Sequence, residues 1–563
     1  MPDSYQKAPL RHVELIAYLL AAWSFVVLFL EPIIGVFLNY RSLELATALA
    51  NLLLLMFTIL NHVLFKDFKR DGKVIIFDVI MLLMGALLLA FQAKFAIFFL
   101  LIRQTYFIIQ YVIFKAFEGR FLKLLSGNPP VSLMLSFVAV IIFGTVLLML
   151  PAASVKGQVT HFLDALFTAT SATCVTGLVV VDTGTYFTLF GQIVILLLIQ
   201  IGGLGIMTIS TAFALMLGQR ITLKLENVMH NMVGEHQVVS VFKLLQSIVL
   251  VTAFIEAIGA VFLYVSFAKV LPTSQAIYNA IFHSVSAFCN AGFALWSDNM
   301  MSFVDSPVVN LTITFLIILG GLGFTVLIEL YKNVFSNAKV KKLTLHTKIV
   351  LASSAGLTIL GFIILFLAEY HASMEGFTLS RRLLGSWFQS VTMRTAGFNT
   401  IDIGRFSSAS VLVALALMFI GASPGSTGGG VKTTTFSVLL LSVVAMLRGK
   451  RNLTVFNRKI ATSNAKEATT LITIAAMIVF GIVFFLMMLE PFTFEQILFE
   501  SISAFGTVGL SMGITSSLSY PGKAMITLLM YIGRIGPLTM IYAFSMRTRQ
   551  PNINYAEEKI AIG

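Results

Sequence analysis

Cys174-Val175-Thr176-Gly177-Leu178 returns three times further along the chain, as Cys289-Asn290-Ala291-Gly292-Phe293, Arg394-Thr395-Ala396-Gly397-Phe398 and Gly506-Thr507-Val508-Gly509-Leu510. Each copy has glycine fourth and Leu or Phe fifth, and successive glycines lie 115, 105 and 112 residues apart. A short apolar stretch rich in Ser and Thr precedes each copy, for example Thr168-Ala169-Thr170-Ser171-Ala172 and Glu500-Ser501-Ile502-Ser503-Ala504-Phe505. A second signature follows the four glycines at distances of 25, 28, 24 and 24 residues. It reads Gly202-Gly203-Leu204-Gly205, Gly320-Gly321-Leu322-Gly323, Gly421-Ala422-Ser423-Pro424-Gly425 and Gly533-Arg534-Ile535-Gly536. Two signatures held in register four times mark an internal repeat.

Outward from these loops, each repeat reads as a full helix, a half-helix, a glycine loop and a second full helix. The full helices fall near 132–151 and 187–217, 241–268 and 308–334, 346–369 and 408–447, and 466–489 and 523–546. Their surroundings are a membrane. Of 563 residues 58% are hydrophobic and 11% charged, with mean hydropathy +0.93, against about 25% charged residues in ordinary soluble domains. A hydrocarbon core about 30 Å thick needs roughly 20 apolar residues per helical span. The stretches before the glycines are too short for that and read as re-entrant, and non-helical backbone at such depth lines a cavity or lies buried in protein. Ahead of the repeats, apolar runs at 13–38, 45–64, 74–90 and 95–117 end at Pro129-Pro130. The first run has no small-residue cleavage site after it, so it is no cleaved signal peptide.

The expected fold is therefore an all-α integral membrane protein of about 12 spans and four re-entrant half-helices, with helix–pore loop–helix repeats around a pseudo-fourfold pore. The expected divisions are a four-helix extension at 1–130 and repeats at 131–236, 237–340, 341–462 and 463–563.

The net charge of +13 is concentrated in the links between repeats. These hold Arg220 and Lys224; Lys332, Lys339, Lys341, Lys342 and Lys348; Arg448, Lys450, Arg451, Arg458, Lys459 and Lys466; and Arg547 and Arg549. The glycine-loop side carries Asp182, Asp298, Asp305, Asp402, Glu490 and Glu495. By the positive-inside rule the loops open outward and both termini are cytoplasmic. The charge thus reads as topology with contact to anionic lipid, and no nucleic-acid partner is expected. Cys174 and Cys289 occupy one loop position in two repeats and read as small packing residues, without metal-ligand spacing.

Four re-entrant loops converging on one axis present a ring of backbone carbonyls that can replace an ion's hydration shell. Glycine suits such a loop because it tolerates positive φ and close approach. The C-terminal dipole ends of the half-helices then favour a cation without any filter carboxylate. The filter is read as Val175, Thr176 and Gly177; Asn290, Ala291 and Gly292; Thr395, Ala396 and Gly397; and Thr507, Val508 and Gly509. The carbonyls of Thr176, Ala291, Ala396 and Val508 are the expected potassium ligands. Potassium enters as substrate, and no cofactor is expected.

The first and third loops, with Asn399-Thr400 after the third, resemble the filters of the Trk/Ktr/HKT potassium transporter superfamily. Gly425-Ser426-Thr427-Gly428-Gly429-Gly430-Val431-Lys432-Thr433-Thr434-Thr435 is similar to that family's intramembrane gating loop, in its Ktr-type form. The resemblance runs from residue 130 to about 548, and Arg534 matches a late-helix arginine. It implies potassium uptake across the cytoplasmic membrane. A glycine in every filter implies potassium, whereas plant members with serine in the first filter prefer sodium. It also implies a homodimer with one pore per chain, resting on a cytoplasmic ring of nucleotide-binding regulatory subunits supplied in trans. The extension at 1–130 departs from the family pattern.

An unbroken helix at 408–447 would be about 60 Å long, twice the hydrocarbon thickness, and four glycines behind Pro424 break it. Gly425, Ser426, Thr427, Gly428, Gly429 and Gly430 are therefore read as a gate below the filter, present in this repeat alone, with Ser426 and Thr427 bonding across to neighbouring helices. Lys432 ends the loop, turned either inward or toward lipid. Arg534 tethers the loop's carbonyls or tunes cation flux by its charge. His283, Gln389 and Glu500 read as the starts of half-helices, Glu500 as a cap. The alternatives are sodium- or proton-coupled potassium symport on the same scaffold and a membrane-embedded enzyme. The enzyme would need clustered intramembrane acids or histidines, whereas Glu256, Glu329 and Asp78 are scattered. Gly421-Ala422-Ser423-Pro424-Gly425 lacks the strand–turn–helix context of a nucleophile elbow.

Overall fold

The computed structural model describes residues 40–65, 68–91, 129–205, 241–335, 343–450, 452–537 and 539–540, with a few isolated positions in 23–27 and 96–100. Arg220, Lys224, Lys339, Lys341, Lys342, Arg451, Arg547 and Arg549, and the extension's first and fourth runs for the most part, lie outside the described residues.

Two helices of the extension are described, α1 (Tyr40–Phe65) and α2 (Phe68–Phe91). They pack on each other, and Ala48 and Leu88 join the apolar cluster around Leu147, Leu148 and Ile195 of the first repeat. That repeat comprises α3 (Pro129–Met149), the half-helix α4 (Phe162–Thr173) and α5 (Leu189–Gly203). The second comprises α6 (Val241–Phe267), the half-helix α7 (Thr273–Phe288), α8 (Pro307–Leu322) and α9 (Phe324–Phe335). The third comprises α10 (Leu345–Glu369), the half-helix α11 (Leu379–Thr392), α12 (Ser408–Phe419) and α13 (Thr433–Leu447). A hairpin of β1 (Thr454–Val455) and β2 (Arg458–Lys459) follows. The fourth has α14 (Thr462–Leu489), the half-helix α15 (Phe494–Gly506) and α16 (Tyr520–Ile535).

The repeats close on themselves. The second helix of each packs against the half-helix of the next: α5 on α7, α8 on α11, α12 on α15, and α16 back on α4. At the closing seam Lys523 Nζ meets Asp164 at 2.8 Å and the Tyr531 hydroxyl donates to the Met134 carbonyl at 2.8 Å. In repeats 3 and 4 an acid at the end of the first helix fixes the N-cap of the second. Glu369 accepts from the Ser407 N–H and hydroxyl at 3.0 and 2.7 Å, and Glu490 accepts from the Ser519 N–H at 3.0 Å. Each of those caps in turn accepts from its own helix, which satisfies a terminal N–H that hydrocarbon cannot.

Among the described residues four helices are long and apolar enough to cross a membrane alone: α3, α6, α10 and α14. The second helices do not continue unbroken. The span expected at 308–334 is two helices bent by 100° at Gly323, whose φ is +97°. Gly205 and Gly536 end α5 and α16 at φ of +93° and +89°. Interruption is thus not confined to the third repeat; there the inserted loop 420–432 occupies the break.

Candidate functional site

The backbone of the four glycine loops alternates in hand. Val175, Asn290, Thr395 and Thr507 have φ of 56°, 58°, 73° and 50°, and Gly177, Gly292, Gly397 and Gly509 have φ of 93°, 70°, 77° and 91°. A left-handed residue either side of an ordinary one turns successive carbonyls toward the same side, instead of alternately as in a strand. Four non-glycine residues accept that strain because the loops are buried throughout and locally bonded. The Thr176, Ala291 and Val508 N–H groups each donate at 2.8 Å to the carbonyl of Ser171, Ser286 and Ser503, five residues back. Ser171 and Ser503 hydroxyls accept from the Gly177 and Gly509 N–H at 3.1 Å. Ser286 and Thr392 hydroxyls instead donate to the Phe293 and Phe398 carbonyls at 2.8 and 2.6 Å.

The loops meet in repeat order. A Cβ on Gly177 would lie 2.5 Å from the Ala291 oxygen, on Gly292 2.7 Å from the Ala396 oxygen and on Gly397 2.5 Å from the Val508 oxygen. On Gly509 it would strike the Thr176 oxygen. The four glycines and the four carbonyls before them therefore form one closed ring. The second signature makes a different close approach. A Cβ on Gly202, Gly320 or Gly533 would strike the carbonyl of Thr173, Phe288 or Phe505 at the end of a half-helix. Those glycines bring the second helix against the base of its loop.

His283, Gln389 and Glu500 do not begin the half-helices. Those starts lie upstream: α7 follows Pro272 without a side-chain cap, and α11 and α15 are capped by Thr378 and Thr493, the latter in a capping box with Gln496. His283 and Gln389 lie late in α7 and α11 and Glu500 midway along α15, and all three reach the chain leaving the loop. His283 Nε2 accepts from the Leu295 N–H at 3.2 Å. The Gln389 amide, with its oxygen turned toward them, accepts from the Thr400 and Ile401 N–H at 3.0 and 3.2 Å. Glu500 accepts from the Ser511 hydroxyl and, at 3.1 Å, from that of Thr515.

On the other side of the ring, 420–432 lies directly against the loops. Gly429 N–H donates to the Thr507 hydroxyl at 3.1 Å, and a Cβ on Gly428 would strike the Thr395 hydroxyl. The segment is pinned to α8 by the Thr427 and Ser423 N–H, which donate to the Gly320 and Gly321 carbonyls at 3.2 and 3.1 Å, and to α9 by Phe324 N–H on the Gly425 carbonyl at 3.0 Å. Ser426 does not reach a neighbouring helix; its hydroxyl donates within the segment, to the Ser423 carbonyl at 2.6 Å. Lys432 turns inward, Nζ donating to the Gly428 and Gly429 carbonyls at 2.7 and 3.4 Å. Arg534, 4% exposed, donates to the Thr427 carbonyl and to the Gly202 carbonyl of the first repeat. One guanidinium thus ties the third-repeat segment to repeats 1 and 4. A cavity of about 200 Å³ beneath it is lined by Gly205, Phe324, Gly425, Lys432 and Arg534 among others.

Sequence reasoning passed over the serine and threonine ties and the polar contact behind the second loop, where Cys289 Sγ lies 3.8 Å from both Gln200 Oε1 and Glu256 Oε1. Spacing alone gives no signal for the second, since Gln200 and Glu256 stand 89 and 33 residues from Cys289, on α5 and α6.

Residues 103–555 match the profile of the TrkH family, described as a cation transport protein. The chain is 43% identical over 448 residues to Ktr system potassium uptake protein B of Bacillus subtilis, covering 79% of this chain and 99% of that one. It is 40% identical to the protein of the same name in Vibrio alginolyticus, over 80% of this chain and 98% of that one, and 40% identical to potassium/sodium uptake protein NtpJ of Enterococcus hirae, over 76% and 95%. The crystal structure of the potassium transporter TrkH from Vibrio parahaemolyticus shares the fold, with a TM-score of 0.61 at 17% identity over 90% of this chain and 99% of that one. Matched over most of its length by the family profile and by relatives across nearly all of theirs, this chain belongs to the TrkH family of cation transport proteins.

Proposed function

We propose that the chain is the potassium-translocating membrane subunit of a Ktr-type uptake system, conducting through the ring of glycine loops and gated by 420–432. Membership of a transport family sets aside the membrane-embedded enzyme. The observation that carries the proposal is the closed ring itself. Four carbonyls, of Thr176, Ala291, Ala396 and Val508, each lie beside the preceding repeat's glycine around the ring, with no carboxylate among the loop residues. Such a ring selects by carbonyl coordination, and potassium is the ion in the names of the Bacillus subtilis and Vibrio alginolyticus relatives. The segment at 420–432 fits a gate because it sits against the ring through Thr395 and Thr507 and is held by reversible hydrogen bonds.

In this reading the loops face outward and the basic links and both termini lie in the cytoplasm, where two copies of the chain meet a nucleotide-binding regulatory ring. The partner component is supported by the relatives being parts of a named Ktr system. Anionic lipid contacts the same basic links. Sodium-coupled transport is the second reading, favoured by the name of the Enterococcus hirae relative, a potassium/sodium uptake protein. Rubidium uptake into proteoliposomes separates the two. The first predicts uptake driven by potential alone; the second, uptake that requires a sodium gradient.

A further inference from the structure

Repeats 2 and 3 each carry one charged side chain directly behind their loop, on one or the other member of a helix–loop pair of positions that the fold makes equivalent. The equivalence rests on contacts. Gly259 of α6 and Gly361 of α10 are two such points: a Cβ on either would lie 2.6 Å from the hydroxyl of Ser284 or Ser390 and 2.7 or 2.8 Å from Leu316 or Leu417. Three residues earlier stand Glu256 and Thr358, whose carbonyls accept from those same serines at 2.6 Å. The facing loop position is Cys289 in repeat 2 and Arg394 in repeat 3. Cys289 lies 3.8 Å from Glu256 Oε1, and Gln200 Nε2 of the first repeat donates to Glu256 Oε2 at 3.4 Å. Arg394 Nη2 donates to the Thr358 hydroxyl at 2.6 Å. The acid is on the helix in one repeat and the base on the loop in the other. In repeat 1, where Gly144 packs on Leu198 in the same way, the two positions hold Ile141 and Cys174, in one apolar cluster. In repeat 4 the loop position is Gly506, without a side chain.

Cys289 and Arg394 immediately precede Asn290 and Thr395, the first left-handed residues of their loops. A side chain anchored there fixes the pivot on which the following carbonyls are aimed. The same two loops differ from the others in a second, independent respect. Their glycines have φ of 70° and 77° against 93° and 91°, and their Ser286 and Thr392 hydroxyls donate to the outgoing carbonyl where Ser171 and Ser503 accept from glycine. Ionisable groups at membrane depth are costly and persist where they serve a pathway.

We infer that Glu256 and Arg394 are positioning residues for ion preference, setting the carbonyls of the adjacent loops 2 and 3 so that this half of the ring differs from the half made by loops 1 and 4. The inference rests on the loops being the filter. Both groups act through hydrogen bonds, and substitutions borrowed from the other repeats remove the anchor; Arg394→Cys also removes buried volume, which the stability readout registers.

The test is rubidium uptake with sodium competition in proteoliposomes of the full-length chain, alongside abundance and thermal stability. Glu256→Ile and Arg394→Cys install the residues of other repeats and should each lower potassium-over-sodium preference about five- to tenfold, the scale of one buried hydrogen bond. Glu256→Gln and Arg394→Lys retain a bonding group and should restore most of it. Cys289→Ala with Glu256→Ile, and Thr358→Val with Arg394→Cys, should be no worse than the stronger single change, because each pair acts through one contact. Cys289→Ala and Thr358→Val are mild enough to report even if the charge removals do not fold. Unchanged preference in the mild variants, or additive losses within the pairs, overturns the inference. Gly177→Ser is the control: if it lowers preference and these changes do not, only this inference fails, and if it too is silent the filter reading fails with it.

Discussion

A methyl group on Gly177 would lie 2.5 Å from the Ala291 oxygen and 3.1 Å from the Gly292 Cα, at a φ of 93° that L-residues rarely adopt. Gly177→Ser must therefore displace its own loop or the next, and re-aim a quarter of the ring. Preference for potassium over sodium should fall at least about tenfold, on the scale of 1.4 kcal/mol, and bi-ionic competition in uptake measures it; an unchanged ratio removes loop 1 from the filter. The second-signature glycines fail differently. Gly533→Ala drives a Cβ into the Phe505 carbonyl, so the expected loss is of stability, about 1–3 kcal/mol, read as reduced abundance and a lower unfolding temperature. The glycines were legible in the sequence because their absence of a side chain recurs at fixed spacing. The ties made by Ser171, Ser286, Thr392 and Ser503 were not. Serine and threonine are common in all these stretches, and which hydroxyl turns toward the loop depends on helix phase near the pivot. Cys289 was read as a packing residue, and its neighbours Gln200 and Glu256 come from two other helices.

At the level of the element, 420–432 is held by several backbone bonds, by Lys432 and Arg534, and at its end by Val431, buried in an apolar cluster with Ala504 and Phe505. Deleting residues 425–430 should raise rubidium uptake in the absence of any regulatory partner, and Arg534→Ala should act in the same direction more weakly. Basal flux unchanged in a deletion that folds and assembles makes the segment a structural kink. The break itself followed from sequence, because 40 residues of helix exceed the membrane and four glycines in six fail to propagate one. The 100° bend at Gly323 did not follow. Gly320-Gly321-Leu322-Gly323 sits in an apolar run whose length fits one span, so nothing in hydropathy distinguishes a straight helix from a bent one. The half-helix starts were misplaced for a related reason. His283, Gln389 and Glu500 are the conspicuous polar residues of these stretches, but their bonds run to the outgoing chain, and the helices begin upstream, after Pro272, Thr378 and Thr493. The β1–β2 hairpin was also missed, despite its turn at Phe456 and Asn457, both at positive φ.

Across the whole molecule, the chain of contacts α5–α7, α8–α11, α12–α15 and α16–α4 makes the pore a property of all four repeats at once. That closure is what fourfold register in the sequence pointed to, whereas the unequal chemistry behind loops 2 and 3 is invisible to a repeat search, which rewards likeness. The hairpin carries Arg458 and Lys459, both exposed, in the basic link between repeats 3 and 4. If that link docks a regulatory ring, neutralising the two should weaken co-purification in a salt-sensitive way, since exposed charges are screened beyond roughly 10 Å at 0.1 M salt. Assembly that is indifferent to the change at low salt assigns the link to topology and lipid. The central claim concerns ion passage through the ring, and rubidium uptake into proteoliposomes of the purified chain tests it most directly. The account predicts uptake driven by a membrane potential, blocked by unlabelled potassium and resistant to the same concentration of sodium. Uptake that sodium blocks equally well, or none from a chain lacking 425–430, contradicts it.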